Sequence, residues 1–210
     1  MTTETAIEAI AGVAHEPQGG ARGVVVLTHG AGGSRDSALL VALCDTWAAA
    51  GWLAIRYNLP YRRRRPKGPP SGSSATDRAG IAEAIALART LGPGPVIAGG
   101  HSYGGRMTSM VAAAGAPIEV LALSSYPLHP PGKPERARTE HLPDITVPTV
   151  FTHGTKDPFG SIEELRAAAA LVSAPAEIVE ITGAGHPLVS KTLDVPALAV
   201  AAALRLAGSQ

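Results

Sequence analysis

A serine between glycines is the first feature of this sequence that could do chemistry. Ser102 lies in the run GGHSYGGR, which holds the pattern G-x-S-x-G from Gly100 to Gly104. A nucleophilic serine on a sharp strand-to-helix turn needs very small residues two positions before and after it, because the chain bends back on itself there. The pattern therefore predicts a nucleophilic Ser102. The alternative is a tight turn that contains a serine by chance.

His186 is the histidine best placed to activate this serine. A serine hydroxyl attacks efficiently only when a neighbouring imidazole takes its proton. His186 follows the last predicted strand, in the flexible run GAGH before a proline, as expected where the chain order is serine, acid, histidine. His101 and His153 are expected to pack or to form local hydrogen bonds, and His15 precedes the main strands. For His129 and His141, which lie in a proline-rich connection, a role near the substrate stays open.

Asp157 is the predicted acid that orients the histidine. It follows a predicted central strand in the run HGTKDPF, so it should face the same edge of the sheet as Ser102. Asp144 precedes that strand and would lie at the opposite edge, and Asp194 falls inside a predicted helix. The alternative role for Asp157 is to cap the helix that begins near Ser161.

Two backbone N–H groups are predicted to hold the oxyanion that develops during acyl transfer. One belongs to Tyr103, the residue after the nucleophile, and the other to Ala31 in the glycine-rich run HGAGG after the first central strand. A glycine-rich loop after a strand could instead cradle a phosphate. However, HGAGGS lacks the Lys-Ser/Thr pair of a P-loop and is not G-x-G-x-x-G.

Alternating elements must position these residues. Short apolar, β-branched runs alternate with longer alanine-rich segments of helical spacing, which predicts a mostly parallel sheet with helices on both faces. Residues 5–13 are a weak candidate for an edge strand, residues 59–74 form a loop, and residues 126–148 could hold a short lid. The predicted strands are 23–29, 52–58, 95–101, 118–125, 147–154 and 176–182, and the predicted helices are 36–50, 76–91, 102–114, 162–172 and 190–206.

Composition narrows the class of partner and compartment. The chain has 18 Lys and Arg against 17 Asp and Glu, so charge does not favour nucleic acid as a partner. No run approaches the roughly 18 apolar residues of a membrane helix, and the N-terminal residues do not resemble a secretion signal. Cys44 is the only cysteine and lies in a predicted helix, so we expect neither a disulfide nor a cysteine nucleophile, and we expect a reducing cytoplasm.

The motifs resemble a known superfamily. HGAGG, GGHSYGGR, HGTKDPF and GAGH are similar, in order and spacing, to small α/β-hydrolases related to dienelactone hydrolase, and NLPY and SYPLHPPGKPERARTEHL resemble the testis-expressed, KANSL-type hydrolase-like group. The resemblance extends from about Arg22 and implies an eight-stranded type of sheet, no cofactor, and a triad of Ser102, Asp157 and His186. The chain length predicts a single α/β-hydrolase domain over residues 1–210, and the connection 126–148 is too short for a separate cap domain. Dienelactone hydrolases carry a cysteine nucleophile where this chain has Ser102, so dienelactone chemistry is not expected.

A basic run and several side chains near strand ends remain. Arg62 to Arg65, with Lys67, could gate the pocket or attract an anionic substrate, although such runs are usually solvated surface. Arg106 could anchor a substrate carboxylate, but the expected role is a structural ion pair under the turn. Four tyrosines could line the pocket, Tyr103 being the best placed: Tyr57, Tyr61, Tyr103 and Tyr126.

The sequence thus predicts a serine hydrolase that cleaves small or exposed carboxylic esters through an acyl-enzyme intermediate. Its predicted partner is a small-molecule ester, and we expect it to bind neither nucleic acid nor a membrane. The sequence does not predict an oligomeric state. Two other hypotheses stay open at this point. One is a hydrolase-shaped interaction module without turnover, and the other is a serine peptidase.

Overall fold

A continuous sheet of eight strands forms the centre of the computed structural model, which describes residues 2–70 and 73–208. In chain order the strands are β1 (Thr3–Ile7), β2 (Gly12–Glu16), β3 (Val24–Thr28), β4 (Leu53–Tyr57), β5 (Val96–His101), β6 (Val120–Ser124), β7 (Thr149–Gly154) and β8 (Ala176–Ile181). Their spatial order is β1-β2-β4-β3-β5-β6-β7-β8. The pairs β1–β2 and β2–β4 are antiparallel, and all pairs from β4 to β8 are parallel.

Helices cover both faces of the sheet. They are α1 (Ala38–Ala49), α2 (Pro60–Arg64), α3 (Ser74–Leu91), α4 (Tyr103–Ala113), α5 (Ile162–Ala169) and α6 (Val195–Ala207). Residues of α1 and α6 pack with Val25 and Leu27 of β3 on one face, whereas residues of α3, α4 and α5 join the core of Val24 and Val26 on the other. A central strand covered on both faces is continuously apolar. The predicted mostly parallel sheet with helices on both faces is confirmed.

The N-terminal segment differs from the single edge strand predicted over residues 5–13. It forms a hairpin of β1 and β2, joined by a short 3₁₀ turn, Glu8–Ile10, and by Ala11 in the left-handed region at φ 46°. The sequence hides this hairpin because β1 is almost wholly exposed and therefore lacks an apolar run. The hairpin places β1 at the edge of the sheet.

Two other elements begin at residues that differ from the predicted ones, in each case for a local reason. The predicted loop 59–74 begins with α2, where Pro60 occupies the first turn and can start a helix, while residues 71 and 72 lie outside the described part of the chain. The last helix begins at Val195 and not near residue 190. Asp194, predicted inside that helix, is its N-cap and accepts the Ala197 N–H at 3.1 Å.

The connection between β6 and β7 carries no separate cap domain. Over residues 126–148 its regular structure is two 3₁₀ turns, Pro134–Arg136 and Leu142–Asp144. Nor does any helix in the described residues combine the length and apolar character needed to cross a membrane.

A buried arginine joins the N-terminal hairpin to the parallel sheet. Arg56 of β4 is 5% exposed and its Nε donates to His15 Nε2 at 2.8 Å. Its Nη groups form ion pairs with Glu4 and Asp36. His15 in turn donates through Nδ1 to Asp45 at 2.9 Å.

We expect Arg56→Met to lower the free energy of unfolding by about 2–4 kcal/mol, because it leaves a buried histidine nitrogen and two carboxylates without their partner. Arg166, which pairs with Glu180 but is exposed, provides the matched control. Arg166→Met should change stability by no more than about 1 kcal/mol. Urea unfolding followed by circular dichroism measures both, and equal losses would show that the Arg56 network contributes no more than a surface pair.

Candidate active site

Ser102 lies in a strained turn between β5 and α4. Its backbone has φ 51° and ψ −118°, a conformation that non-glycine residues rarely adopt and that is often found at functional sites. Its N–H donates to Ser124 O of the neighbouring strand at 2.8 Å. A Cβ on Gly100 would approach Thr28 O to 2.5 Å and one on Gly104 would approach His29 O to 2.5 Å. Larger residues at these two positions would therefore force the turn apart.

The three predicted triad residues are brought together in one series of hydrogen bonds. His186 Nε2 lies 2.7 Å from Ser102 Oγ, and His186 Nδ1 lies 2.8 Å from Asp157 Oδ2. Because an ionised carboxylate only accepts hydrogen bonds, Nδ1 carries the proton and Nε2 is free to accept the serine O–H. The serine, imidazole and carboxylate are thus aligned for proton transfer.

The Asp157 side chain is fully buried and doubly held. Phe159 N–H donates to its Oδ1 at 2.9 Å, while Oδ2 accepts from His186. Burial opposes ionisation, but these two hydrogen bonds outweigh it and hold the pKa of Asp157 below its ordinary value. The alternative role as a helix cap is not observed, because Ser161 caps α5 in a reciprocal pair with Glu164.

His186 is fixed through its own carbonyl as well as through its ring. His186 O accepts from Ser125 Oγ at 2.8 Å and from His101 Nε2 at 2.9 Å. The Phe159 ring lies against the imidazole, with centroids 4.3 Å apart. Burial is the main reason that the pKa of His101 is lowered, so His101 acts as a neutral donor. The sequence predicted local hydrogen bonding for His101 but not its link to His186.

The loop that contains Ala31 lies beside Ser102. A Cβ on Gly30 would come within 3.3 Å of Ser102 Cβ. Tyr103 is the first residue of α4, where the N–H has no partner within the helix. In the described residues, neither the Ala31 N–H nor the Tyr103 N–H donates to a protein acceptor. Both predicted oxyanion donors therefore lie at the edge of the sheet that carries Ser102.

Side chains of α2 hold this loop in place. Tyr61 Oη donates to Ala31 O at 2.8 Å. Arg62 Nε donates to Gly33 O at 2.7 Å, and its Nη2 donates to Ala31 O at 3.2 Å and to Gly68 O at 3.0 Å. For Arg62 the surface interpretation of the basic run is wrong, because this residue is 5% exposed. Two of the carbonyls that accept from Arg62, those of Gly33 and Ala31, lie 29 and 31 positions away in the sequence. No local sequence pattern reveals such distant partners.

His29 stabilises the start of the same loop in its neutral form. Its Nε2 accepts from Leu59 N–H at 3.2 Å, and its Nδ1 donates to Gly30 O at 2.8 Å. Burial, reinforced by the charge of Arg62, lowers the pKa of His29 to about 4. A protonated ring could not accept from Leu59, so this contact requires the neutral tautomer.

The ion pair expected for Arg106 does not form. Among the described residues, no carboxylate lies within ion-pair distance of its guanidinium, and its Nε is buried without a hydrogen-bond partner. Of the tyrosines predicted to line the pocket, Tyr57, Tyr61 and Tyr126 are almost wholly buried. Tyr103 is only partly buried, and its Oη donates to Asp77 at 2.8 Å.

The remaining histidines have local partners. His153 Nε2 donates to Gly160 O at 2.9 Å and lies 3.8 Å from Asp157. His129 Nε2 contacts Glu164 at 3.3 Å, and His141 Nε2 contacts Ser109 Oγ at 2.7 Å. No group of His, Cys, Asp and Glu side chains in the described residues is arranged to hold a metal ion.

A parallel sheet that carries a serine, an imidazole and a carboxylate in hydrogen-bonded order at one edge is the architecture of the α/β serine hydrolases. Residues 21–195 match the family described as Alpha/beta hydrolase domain. The chain therefore belongs to the α/β-hydrolase family. The family match covers Ser102 and the positions of the other four predicted site residues.

Solved structures share this fold at low sequence identity. The dienelactone hydrolase of Anabaena variabilis is 20% identical with a TM-score of 0.69, over 97% of this chain and 94% of that chain. Est1E of Butyrivibrio proteoclasticus, solved with ferulic acid, is 18% identical with a TM-score of 0.76, over 94% and 95%. A serine hydrolase without a lid from Xanthomonas campestris is 16% identical with a TM-score of 0.71, over 97% and 94%. The fold is thus dienelactone-hydrolase-like, and membership of the smaller KANSL-type group stays a prediction.

We expect His29 to make the protein less stable in mild acid. The unfolded chain binds a proton at this residue near pH 6.5, whereas the folded chain does so only near pH 4. Between these values the unfolded state holds more protons, so stability is complete above about pH 6.5 and falls as the pH decreases towards 4. The loss should reach about 3 kcal/mol. Urea unfolding at several pH values measures it, with His29→Asn as the comparison, and an identical pH dependence in the two proteins would contradict the assignment.

Proposed function

We propose that this protein is a serine hydrolase that cleaves carboxylic esters through an acyl-enzyme intermediate. The observation that carries the proposal is the unbroken hydrogen-bond series from Asp157 through His186 to Ser102, with separations of 2.8 and 2.7 Å. Such a series gives a serine hydroxyl a proton acceptor already oriented for attack. We also propose that the chain acts as one hydrolase domain in a reducing cytoplasm.

The first half of the reaction would acylate the serine. His186 Nε2 takes the Ser102 proton while Oγ bonds to the ester carbonyl carbon. Asp157 stays ionised and stabilises the imidazolium, in keeping with its lowered pKa. His186 then gives the proton to the alkoxy oxygen, the carbon–oxygen bond breaks, and the alcohol leaves.

The second half would release the acid. A water molecule gives a proton to His186 Nε2 as its oxygen bonds to the acyl carbon. The bond to Ser102 Oγ then breaks, and Oγ recovers the proton from the imidazole. In each half, the N–H groups of Ala31 and Tyr103 are proposed to hold the negative carbonyl oxygen.

Contacts that orient the backbone at Ala31 and Tyr103 support this oxyanion assignment. An N–H group stabilises a developing charge only if it is oriented before the reaction, because reorientation would cost free energy at the barrier. Tyr61 Oη and His29 Nδ1 hold the Gly30 carbonyl, which shares a planar peptide unit with the Ala31 N–H. The position of Tyr103 as the first residue of α4 orients its N–H. A purely binding module would need neither these supports nor an aligned triad.

Replacing the nucleophile should abolish turnover without unfolding the protein. We expect Ser102→Ala to lower kcat for p-nitrophenyl acetate by about 1,000-fold or more, because no other residue can carry the acyl group. Ser173→Ala alters an exposed serine before β8, at the opposite edge of the sheet, and should keep the wild-type rate. Mass spectrometry after treatment with a fluorophosphonate should find one adduct, on Ser102.

The same assay separates the competing hypotheses. Equal rates for wild type and Ser102→Ala would contradict the enzyme assignment and favour the interaction module. Faster Ser102-dependent cleavage of a fluorogenic peptide panel than of esters would favour a peptidase. Ser102-dependent ester cleavage without trapped acyl-enzyme would contradict the covalent intermediate.

A further inference from the structure

Asp77 is a buried carboxylate beside the site that the proposed reaction does not use. It lies in the first turn of α3 and is 2% exposed. Among the described residues, no Lys, Arg or His lies within ion-pair distance of it. Acidic side chains are rarely buried without a cation, because a buried charge is costly. The position of Asp77 therefore needs a physical explanation.

Both oxygens of Asp77 accept hydrogen bonds from other helices. Its Oδ1 accepts the backbone N–H of Tyr61, the second residue of α2, at 3.1 Å. Its Oδ2 accepts the phenol of Tyr103, the first residue of α4, at 2.8 Å. Asp77 thus joins α2, α3 and α4 at one point.

Tyr61 continues this connection to the loop that contains Ala31. Its Oη donates to Gly30 O at 3.2 Å and to Ala31 O at 2.8 Å. The Gly30 carbonyl and the Ala31 N–H belong to one planar trans peptide unit, so they point in opposite directions. Fixing the Gly30 carbonyl therefore fixes the direction of the Ala31 N–H.

Tyr103 carries the other proposed oxyanion donor, its own N–H. Its ring packs edge-to-face against the ring of Tyr61, with centroids 5.9 Å apart and planes at 84°. Burial is the first reason that the pKa of each phenol is raised, so both phenols stay protonated and donate. One hydrogen-bonded path therefore links the two proposed donors, and Asp77 is its central member.

Capping of α2 alone does not explain a carboxylate at this position. The N-cap residue of α2 is Leu59, whose side chain makes no capping bond, so Asp77 supplies an acceptor for the Tyr61 N–H. A hydroxyl or an amide oxygen would satisfy one N–H without burying a charge. The second hydrogen bond, from Tyr103, is one that a helix cap does not require.

Close packing holds α2 against α3 at the same place. Gly80 lies three positions after Asp77 on α3, and a Cβ there would come within 2.4 Å of Pro60 Cγ. The missing side chain at Gly80 thus lets the first turn of α2 approach Asp77. Glycine is unfavourable inside a helix, and here the close contact with α2 requires it.

The arrangement also keeps the negative charge of Asp77 away from the proposed oxyanion donors. A carboxylate next to the oxyanion would oppose the reaction, because like charges repel. Asp77 contacts Tyr103 at the phenol, the end of the side chain farthest from the N–H. On the loop, the group that bonds directly to Ala31 O is the positive guanidinium of Arg62.

We propose that Asp77 is a positioning residue that fixes the two oxyanion donors relative to each other. Two donors stabilise an oxyanion only when both point at the same atom, and a displacement of about 1 Å can lower the rate about 100-fold. The inference rests on the proposed esterase function and adds to it a residue that acts through Tyr61 and Tyr103.

Three variants and a matched control test this path. Tyr103→Phe removes only the phenol bond, Asp77→Ala removes both bonds of the carboxylate, and Asp77→Asn keeps the shape with a neutral group. The control is Tyr126→Phe. Tyr126 is also a buried tyrosine whose phenol donates to a protein oxygen, Arg138 O at 2.6 Å, but this bond lies outside the path.

We expect Tyr103→Phe and Asp77→Asn to lower kcat for p-nitrophenyl acetate about tenfold and Asp77→Ala about 100-fold, with KM within about twofold. Rates are divided by the concentration of active sites titrated with a fluorophosphonate, so that unfolded protein does not contribute. Affinity for a trifluoromethyl ketone, whose adduct with Ser102 carries an oxyanion, should fall in parallel. Tyr103→Phe should add no further loss to Asp77→Ala, and Tyr126→Phe should keep both kcat and the affinity.

The kinetic outcomes separate the positioning role from the esterase function. Unchanged kcat in the Asp77 variants and in Tyr103→Phe, with hydrolysis that still depends on Ser102, would overturn the role and leave the esterase. A loss confined to KM, or an equal loss in Tyr126→Phe, would also overturn it. If Asp77→Ala does not fold, Asp77→Asn and Tyr103→Phe decide.

If the wild type hydrolyses no ester, hydrogen exchange measured by NMR decides. The amides of Gly33 in the loop and of Arg106 in α4 both donate to backbone carbonyls. Faster exchange of both in Asp77→Asn, but not in Tyr126→Phe, would support the positioning role without the esterase. Any other exchange result would overturn it.

Discussion

Parallel pairing of the strands β5 to β8 is the constraint on which the site depends. Ser102 follows β5, Asp157 follows β7 and His186 follows β8, and the pairings β5–β6, β6–β7 and β7–β8 are all parallel. The carboxyl ends of parallel strands meet at one edge of the sheet. Residues as distant as Ser102 and His186, which are 84 positions apart, therefore come within hydrogen-bond distance. An antiparallel strand in this series would send its loop to the other edge.

Backbone carbonyls, more than side chains, hold the parts of the site together. His101 and Ser125 hold His186 O, Tyr61 and Arg62 hold Ala31 O, and His153 holds Gly160 O. Because a carbonyl oxygen has two lone pairs and does not titrate, it is a stable anchor over a wide pH range. Burial lowers the pKa of His101, one of these donors, and of His29, which supports the start of the Ala31 loop.

Part of the structure is held in unfavourable conformations near the triad. Ser102 and Ser125 both have positive φ values, 51° and 49°. Ser102 Oγ contacts the His186 imidazole, and Ser125 Oγ donates to the His186 carbonyl oxygen. Strain of this kind persists only where the surrounding packing determines the geometry, and it is concentrated at functional sites. The buried cores on both faces of the sheet supply that packing.

The sequence by itself determined most of the central strands and helices and singled out the proposed triad residues, because both depend on local patterns. Apolar runs that alternate with segments of helical periodicity predict the parallel sheet. The motifs GGHSYGGR, HGTKDPF and GAGH each lie next to the end of a predicted strand. What depends on distant contacts was decided only by the tertiary structure. The exposed strand β1 has no apolar pattern of its own, and Arg62 is buried because carbonyls of the Ala31 loop accept its N–H groups. Arg106 lacks the expected acid because, in the part of the chain that the structure describes, no carboxylate lies within ion-pair distance of its guanidinium. Burial and pairing are properties of the folded neighbourhood, and residue order alone does not specify them.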